Sequence, residues 1–242
     1  MKDIILPDTS LAAIVRDEKM NPAGGIIRFL DSIVPYVKEA VIVDTGSKDG
    51  TRGLLEEAKK KYNNLRVYDR QFDGYASSRN YSLEQVKTKR VLVLDADELL
   101  TKEDLKELKR VLIKDYMLRL FKDTLGYNFN FLNILQYDEF QSNGHNPRLF
   151  EINDNLHYDN EYTGGGEFLY KHNHKFEFDP CVINTGIEIK HFRPSRLALE
   201  YKGSDWYQRL SRNISFGTRN APSETQHFEV WKRYNSRRDE FD

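Results

Sequence analysis

The 242-residue sequence predicts an α/β fold with a mostly parallel central sheet that is flanked by helices. Two observations favour this class. Short and wholly apolar segments such as Leu11–Val15 are typical of strands that are buried on both faces. Segments with a helical spacing of apolar residues lie between them. This alternation indicates parallel strands that are joined by crossover helices.

The elements follow in chain order. The strands predicted in the first half are Leu11–Val15, Val41–Val43, Leu65–Tyr68 and Val91–Leu94. The predicted helices are Ile26–Val34, which Pro35 ends, then Leu54–Tyr62, Tyr75–Val86, and a helix that a Thr101–Asp104 capping box opens and that extends to about Met117. Further strands are expected at Tyr127–Leu135, Pro147–Ile152 and Val182–Phe192.

Composition excludes several classes of protein. Lys plus Arg is 37 and Asp plus Glu is 38, so no positive charge excess points to a nucleic-acid partner. The longest aliphatic run, Leu11–Val15, is far shorter than the ~20 residues of a transmembrane helix, although this does not exclude peripheral membrane contact. The N-terminus lacks the apolar segment of a signal peptide. With Cys181 as the one cysteine, we expect a reducing, cytoplasmic location.

Acidic residues follow three of the predicted strands. Asp17 follows the first, Asp44 the second, and Asp95 and Asp97 the fourth. The carboxyl ends of parallel strands share one sheet edge, where ligands bind. Any one of these aspartates is also explained by a turn or a helix N-cap. Together they would repel one another unless a divalent metal or a sugar with hydroxyl groups relieves the repulsion.

Four motifs in sequence order carry a resemblance to a known family. They are Ala13–Glu18, Val41–Thr51, Ala76–Asn80 and Val93–Glu98. In this order they resemble the family 2 glycosyltransferases, and Pro147–Phe150 and Ile189–Phe192 extend a weaker match. The resemblance implies a GT-A-like fold and a nucleotide-diphosphate sugar as donor.

The resemblance also implies a domain organisation. We expect one GT-A-like domain over residues 1–220, with a Rossmann-like nucleotide-binding half at 1–100 and an acceptor half at 101–220. Residues 221–242 form a charged C-terminal tail, for which a surface helix is one interpretation.

Five residues would contact the nucleotide if the resemblance holds. Asp44 would accept a hydrogen bond from the base N–H, with Arg16 and Asp17 flanking the same base. Asp95 would accept from a ribose hydroxyl. Arg79 would act on the nucleotide side of the pocket, and the alternative is that it forms an ion pair with Asp44 or Asp95.

The resemblance assigns a metal to the same edge. Asp97, the last acid of the D-x-D motif, would coordinate Mg²⁺ or Mn²⁺, and His191 would complete metal or diphosphate binding. A divalent cation stabilises the charge that develops on a diphosphate leaving group. The alternative for His191 is a histidine with an ordinary packing role.

The catalytic base is the least defined part of the site. An inverting transfer needs a carboxylate that removes the proton of the acceptor hydroxyl. Related enzymes often carry a His-Glu pair where this chain has Thr163-Gly164, so the motif is missing. Glu161 and Glu167, which flank a run of three glycines, are the candidates, with Glu177 and Glu139 in reserve.

The sequence therefore predicts an inverting, metal-dependent glycosyltransferase with a UDP-sugar as the expected donor. The acceptor would be a glycan, a lipid-linked molecule or a protein. One alternative is a non-catalytic sugar-nucleotide-binding protein, which the missing base motif favours. A second is an aspartyl-type phosphohydrolase, which Leu99 disfavours because that chemistry usually wants Thr or Val at its position.

Overall fold

The computed structural model describes residues 4–19, 21, 23–118, 125–134, 139–143, 147–153, 155–160 and 167–192. The strands are β1 Leu6–Val15, β2 Val37–Asp44, β3 Leu65–Asp69, β4 Arg90–Val93, β5 Glu98–Leu99, β6 Gly126–Ile134, β7 Glu139–Asn143, β8 Leu149–Glu151, β9 Leu156–Asn160, β10 Glu167–Lys171, β11 His174–Lys175 and β12 Val182–Phe192. The α-helices are α1 Ile26–Ile33, α2 Thr51–Lys61, α3 Tyr75–Glu84 and α4 Lys102–Leu118. Short 3₁₀ helices occupy Val34–Tyr36 and Phe176–Phe178.

The strands form one large sheet and one small sheet. The large sheet has the order β3-β2-β1-β4-β8-β6-β12-β5, with β7 beside β6. It is parallel from β3 through β4 and between β6 and β12, and antiparallel where β8, β5 and β7 join it. The small sheet has the order β11-β10-β9. The predicted α/β class with a helix-flanked central sheet is confirmed, and antiparallel strands enter it in the second half.

The central strands of the large sheet are buried on both faces because they send alternate side chains to two apolar clusters. Leu11 and Ala13 of β1 pack in the cluster that contains α1, α2 and α4. Ala12, between them, packs in the cluster that contains Ala76 of α3 and Leu169 of β10. Strands that are buried on both faces read as continuous apolar segments, which is why the sequence predicted them.

Several elements differ from the prediction. β1 begins at Leu6 rather than Leu11, although Pro7 and Asp8 suggest a turn, because Leu6 pairs with Val37 across an irregularity in the register. β5, β7 and the strands β9 to β11 were not predicted. A two-residue strand is too short to show a period, and β9 and β10 carry many polar residues on a partly exposed sheet.

The tail at 221–242 lies outside the described residues. In the part of the chain that the structure describes, no helix has both the length and the apolar character needed to cross a membrane.

Candidate active site

The register of the parallel strands brings the predicted carboxylates to one edge of the sheet. Val15 at the end of β1 lies beside Asp44 at the end of β2. Ala12 of β1 lies beside Val93, the last residue of β4. The loops that follow β1, β2 and β4 therefore leave the sheet at the same edge, and they carry the predicted aspartates.

The two carboxylate oxygens of Asp44 have different surroundings. Oδ1 accepts hydrogen bonds from the backbone N–H groups of Gly46, at 2.9 Å, and Ser47, at 2.8 Å. The turn requires a positive φ at Gly46, which is 100°. Oδ2 is buried and has no hydrogen-bond partner in the described part of the chain, and the residue is 2% exposed. A buried carboxylate oxygen of this kind is suited to accept a hydrogen bond from a ligand.

Asp17 joins the loop after β1 to the loop after β2. Its Oδ1 accepts from the backbone N–H of Lys48 at 2.7 Å, and its own N–H donates to the hydroxyl of Ser47 at 3.0 Å. Asp17 has a φ of 56°, in the left-handed region. Arg16 lies alongside, with its Nε 3.9 Å from Asp17 Oδ2. The structure thus places Arg16 and Asp17 next to the Asp44 loop, with one oxygen of Asp17 holding that loop.

Asp95 forms ion pairs with two arginines. Arg79 on α3, whose side chain is 3% exposed, contacts Asp95 directly, and Arg148 Nη2 lies 3.8 Å from Asp95 Oδ2. Burial would raise the pKa of Asp95, but the guanidiniums of Arg79 and then Arg148 outweigh it and lower the pKa to about 2. The Asp95 side chain remains 35% exposed, so it is an ionised acceptor within reach of a ligand. An ion pair with Asp95 was the alternative interpretation for Arg79, and that ion pair is present.

Arg79 and Asn80 attach the small sheet to the large one. Arg79 Nε donates to Glu167 Oε1 on β10 at 3.2 Å. Asn80 donates from Nδ2 to the carbonyl of Tyr158 at 2.9 Å and accepts from the N–H of Tyr158 at 2.7 Å. The Asn80 side chain therefore acts toward β9 as a strand partner would. Glu167, a candidate base, has its carboxylate engaged by Arg79.

Asp97 and His191 lie side by side because β5 pairs with the end of β12. His191 is opposite Glu98 in this antiparallel pair, and the N–H of Phe192 donates to the carbonyl of Asp97 at 2.9 Å. Asp97 Oδ2 is 3.8 Å from His191 Nε2. His191 Nδ1 is 3.1 Å from Asn133 Oδ1. A carboxylate and an imidazole at this distance can contact one divalent ion.

The chemistry of this pair fits a loosely held divalent cation. Among the described residues, no three His, Cys, Asp or Glu side chains gather closely enough to hold a metal ion. Mg²⁺ and similar ions in phosphate-transfer sites are commonly held by one or two protein ligands, with water and substrate phosphates completing the shell. Asp97 and His191 would hold the ion, and its remaining ligands would come from substrate and water.

Two residues at the site were missed by sequence reasoning. Glu98 is fully buried, accepts from Arg148 Nη2 at 2.5 Å and accepts from the N–H of Asp95 at 3.0 Å. Burial, together with the charges of Asp95 and Asp97, raises the pKa of Glu98 to about 8, while Arg148 opposes the rise. Glu98 directly follows the D-x-D motif in the sequence. This position was a signal that Glu98 belongs to the site.

The second missed residue is Asn21. Its Nδ2 donates to the carbonyl of Ala96 at 2.7 Å, and its Oδ1 accepts from the N–H of Gly25 at 2.8 Å. Asn21 therefore ties the D-x-D loop to the start of α1. A buried loop asparagine has no distinctive sequence signal.

The glutamate candidates are only partly described. Glu161 and the side chain of Glu139 lie outside the described residues. Glu177 is half-buried in the 3₁₀ helix at Phe176–Phe178. Glu167 is therefore the one main candidate whose contacts are described.

This arrangement of a helix-flanked sheet with acidic loops at one edge has the GT-A type of fold. A mannosyltransferase from Pyrobaculum calidifontis, solved with GDP-mannose and Mn²⁺, superposes with a TM-score of 0.50 at 16% identity, covering 94% of this chain and 69% of that one. The family model described as Glycosyl transferase family 2 matches residues 20–175. The chain belongs to glycosyl transferase family 2.

Two curated relatives match parts of the chain. A TPR repeat-containing protein of Synechococcus elongatus is 35% identical over 104 residues, which is 43% of this chain and 24% of that protein. The teichoic acid poly(glycerol phosphate) polymerase of Staphylococcus epidermidis is 42% identical over 60 residues, which is 24% of this chain and 8% of that protein. The matched region thus covers no more than about a quarter of either relative.

Proposed function

We propose that the chain is an inverting, metal-dependent glycosyltransferase that uses a nucleoside-diphosphate sugar. One observation carries the proposal. In a chain of glycosyl transferase family 2, Asp44 with its buried Oδ2, the ionised Asp95 and Asp97 lie on loops at one sheet edge, and His191 lies beside Asp97 near the end of β12. These groups suit a base N–H, a ribose hydroxyl and a metal-bound diphosphate respectively.

The nucleotide-binding part of the site is assigned from the charge and the hydrogen-bonding capacity of its side chains. Asp44 Oδ2 would accept from the base, and Asp95 would accept from ribose while Arg79 and Arg148 keep it ionised. Arg16 and Asp17 would border the base from the loop after β1. A UDP-sugar is our expected donor.

The metal half rests on Asp97 and His191, which would hold Mn²⁺ or Mg²⁺. Such an ion, when bound, supplies electrostatic stabilisation of the diphosphate leaving group as the bond to the sugar breaks. The carboxylate of Glu161 would remove the proton of the acceptor hydroxyl, whose oxygen attacks the anomeric carbon from the side opposite the diphosphate, and Glu167 is the alternative base. The acceptor would be a glycan, a lipid-linked molecule or a protein, and the reaction would take place in the cytoplasm.

A panel of UDP- and GDP-sugars tests the proposal, read by thermal shift with and without Mn²⁺. A ligand that binds the folded state raises the melting temperature by mass action. We expect one sugar nucleotide to stabilise the chain more in the presence of Mn²⁺, and Asp97→Ala to remove the additional shift without lowering the melting temperature of the free protein. Release of the nucleoside diphosphate in the presence of acceptor extracts then reports transfer.

The panel also separates the proposal from its alternative. Binding without release of the nucleoside diphosphate from any sugar nucleotide would favour a non-catalytic sugar-nucleotide-binding protein. Equal stabilisation with Mn²⁺ and with EDTA would contradict the metal requirement.

A further inference from the structure

Three side chains contact the imidazole of His191. Asn133 Oδ1 lies 3.1 Å from Nδ1, and Asp97 Oδ2 lies 3.8 Å from Nε2. The ring of Phe131 meets the imidazole edge to face, with centroids 5.8 Å apart. The orientation of the ring is therefore defined, and each ring nitrogen faces a different oxygen.

The amide of Asn133 makes a second contact on its other side. Its Nδ2 donates to the hydroxyl of Ser142 on β7 at 2.8 Å, and Asn133 is 3% exposed within β6. With the amide nitrogen at Ser142, the carbonyl oxygen is the atom that faces His191. A carbonyl oxygen can only accept a hydrogen bond, so Nδ1 of His191 must be the donor.

We propose that Asn133 is a positioning residue that holds His191 as the Nδ1–H tautomer and so presents the Nε2 lone pair to a metal ion at Asp97. A neutral imidazole with a proton on Nδ1 has its lone pair on Nε2. That lone pair faces a carboxylate oxygen of Asp97, so the two atoms repel each other. A cation between them would attract both atoms. The inference rests on the proposed metal site.

The pairing of the strands explains why Asn133 stands in this position. β6 and β12 are parallel neighbours, and Asn133 is directly opposite His191 in their register. A metal-binding histidine almost always donates its second ring N–H to an oxygen acceptor, and the side-chain oxygen of Asn133 lies where that acceptor would be.

The first measurement is the tautomer of His191 in the metal-free protein, from two-bond ¹H–¹⁵N spectra of the full 242-residue chain. His191→Ala identifies the resonance. We expect wild-type His191 to be protonated at Nδ1. Asn133→Ala should shift it toward the Nε2–H form that free imidazole side chains prefer. A wild-type Nε2–H tautomer would overturn the proposal.

The second measurement is Mn²⁺ affinity, from the signal of free Mn²⁺ in electron paramagnetic resonance, with UDP present throughout. Asn133→Ala should weaken binding about 10- to 100-fold, as is usual when the partner of a ligating histidine is removed. Asn133→Asp keeps an acceptor for Nδ1–H and should restore most of the affinity. Asn130→Ala is the matched control, because it removes a bond of 3.1 Å to Asn184 between the same two strands.

The outcomes separate this inference from the proposed function. If His191→Ala weakens Mn²⁺ binding and Asn133→Ala does not, the metal site stands and the role of Asn133 is refuted. If Asn130→Ala weakens binding as much as Asn133→Ala does, the effect is structural and the role of Asn133 is again refuted. If the wild-type protein binds no Mn²⁺ in the presence of UDP, the metal site itself fails, and the role of Asn133 fails with it.

Discussion

At the scale of single residues, the site depends on carboxylates that look alike in the sequence and differ in their surroundings. Asp17 and Asp44 each use one oxygen to hold a backbone turn, whereas Asp95 is held by arginines. The burial and the partners of each side chain decide whether an oxygen remains for a ligand. These differences give each aspartate its own expected response to mutation.

Asp44→Ala should weaken binding of the free nucleoside diphosphate about 10- to 100-fold, even without metal, because a hydrogen bond to a charged group is lost. Isothermal titration measures this affinity. Asp49→Ala is the matched control. Asp49 also supports this loop, by accepting from the N–H groups of Lys19 and Thr51, each at 2.9 Å. Equal losses in both variants would assign Asp44 to the turn alone.

Glu161→Gln should lower kcat by ~10²–10⁴ and leave the Kd of the donor nearly unchanged, because glutamine cannot take the proton of the acceptor. Glu167→Gln should instead weaken donor binding, because Glu167 supports Arg79 and, through it, Asp95. Steady-state kinetics with a donor titration separates the two. A loss of kcat alone in Glu167→Gln would make Glu167 the base.

At the scale of elements, the side chains of α3 hold the small sheet in place. Asn80 satisfies both the N–H and the carbonyl of Tyr158, so β9 has β10 on one edge and an amide side chain on the other. The adjacent Arg79 reaches both β10 and the loop after β4. Two adjacent residues of α3, Arg79 and Asn80, thus set the position of the small sheet relative to the D-x-D motif.

Asn80→Ala should cost about 2–3 kcal/mol of unfolding free energy, since it removes two hydrogen bonds and leaves buried backbone groups without partners. Urea unfolding measures the loss. Asn64→Ala is the matched control, because Asn64 also makes two side-chain bonds to backbone, to Val34 and Val37 at 2.9 and 3.1 Å. Hydrogen exchange should speed up in β9 and β10 for Asn80→Ala alone. Unchanged protection there would contradict the role given to Asn80.

At the scale of the whole molecule, a group of acidic side chains and arginines joins the two halves of the chain. Glu98 and Asp95 come from the loop after β4, Arg79 comes from α3, and Arg148 precedes β8. Asp95 and Glu98 respond to pH in opposite directions. The lowered pKa of Asp95 contributes stability above about pH 4, and this contribution is lost as the pH falls toward 2. The raised pKa of Glu98 contributes stability below about pH 4.5, and this contribution is lost as the pH rises through about 8.

Glu98→Gln should therefore flatten the pH dependence of stability between about pH 5 and 8. A folded state in which Glu98 keeps a proton that the unfolded chain has released has a slope of up to about 1.4 kcal/mol per pH unit, with stability falling as pH rises. Urea unfolding at several pH values measures the slope in both proteins. Parallel curves for the two proteins would show that Glu98 does not hold this proton.

Much of the fold was predictable because its strongest signals are local. β4 is an apolar strand that is buried on both faces, and Thr101 and Asp104 form a reciprocal capping box. Each of these is a pattern within a few residues. The grouping of Asp44, Asp95 and Asp97 also followed from the sequence, because strand–helix alternation implies that parallel strands end at one edge.

Tertiary structure alone decided which partners these carboxylates have. That Asn133 faces His191 and that Glu98 is buried against Arg148 depend on the pairing of β6 with β12 and of β4 with β8. The sequence by itself determined the α/β class, the family motifs and the presence of carboxylate side chains at the sheet edge. Pairing between strands that are distant in the sequence leaves no local period, so these contacts, and the pKa shifts that burial and neighbouring charges produce, exist only once the chain has folded.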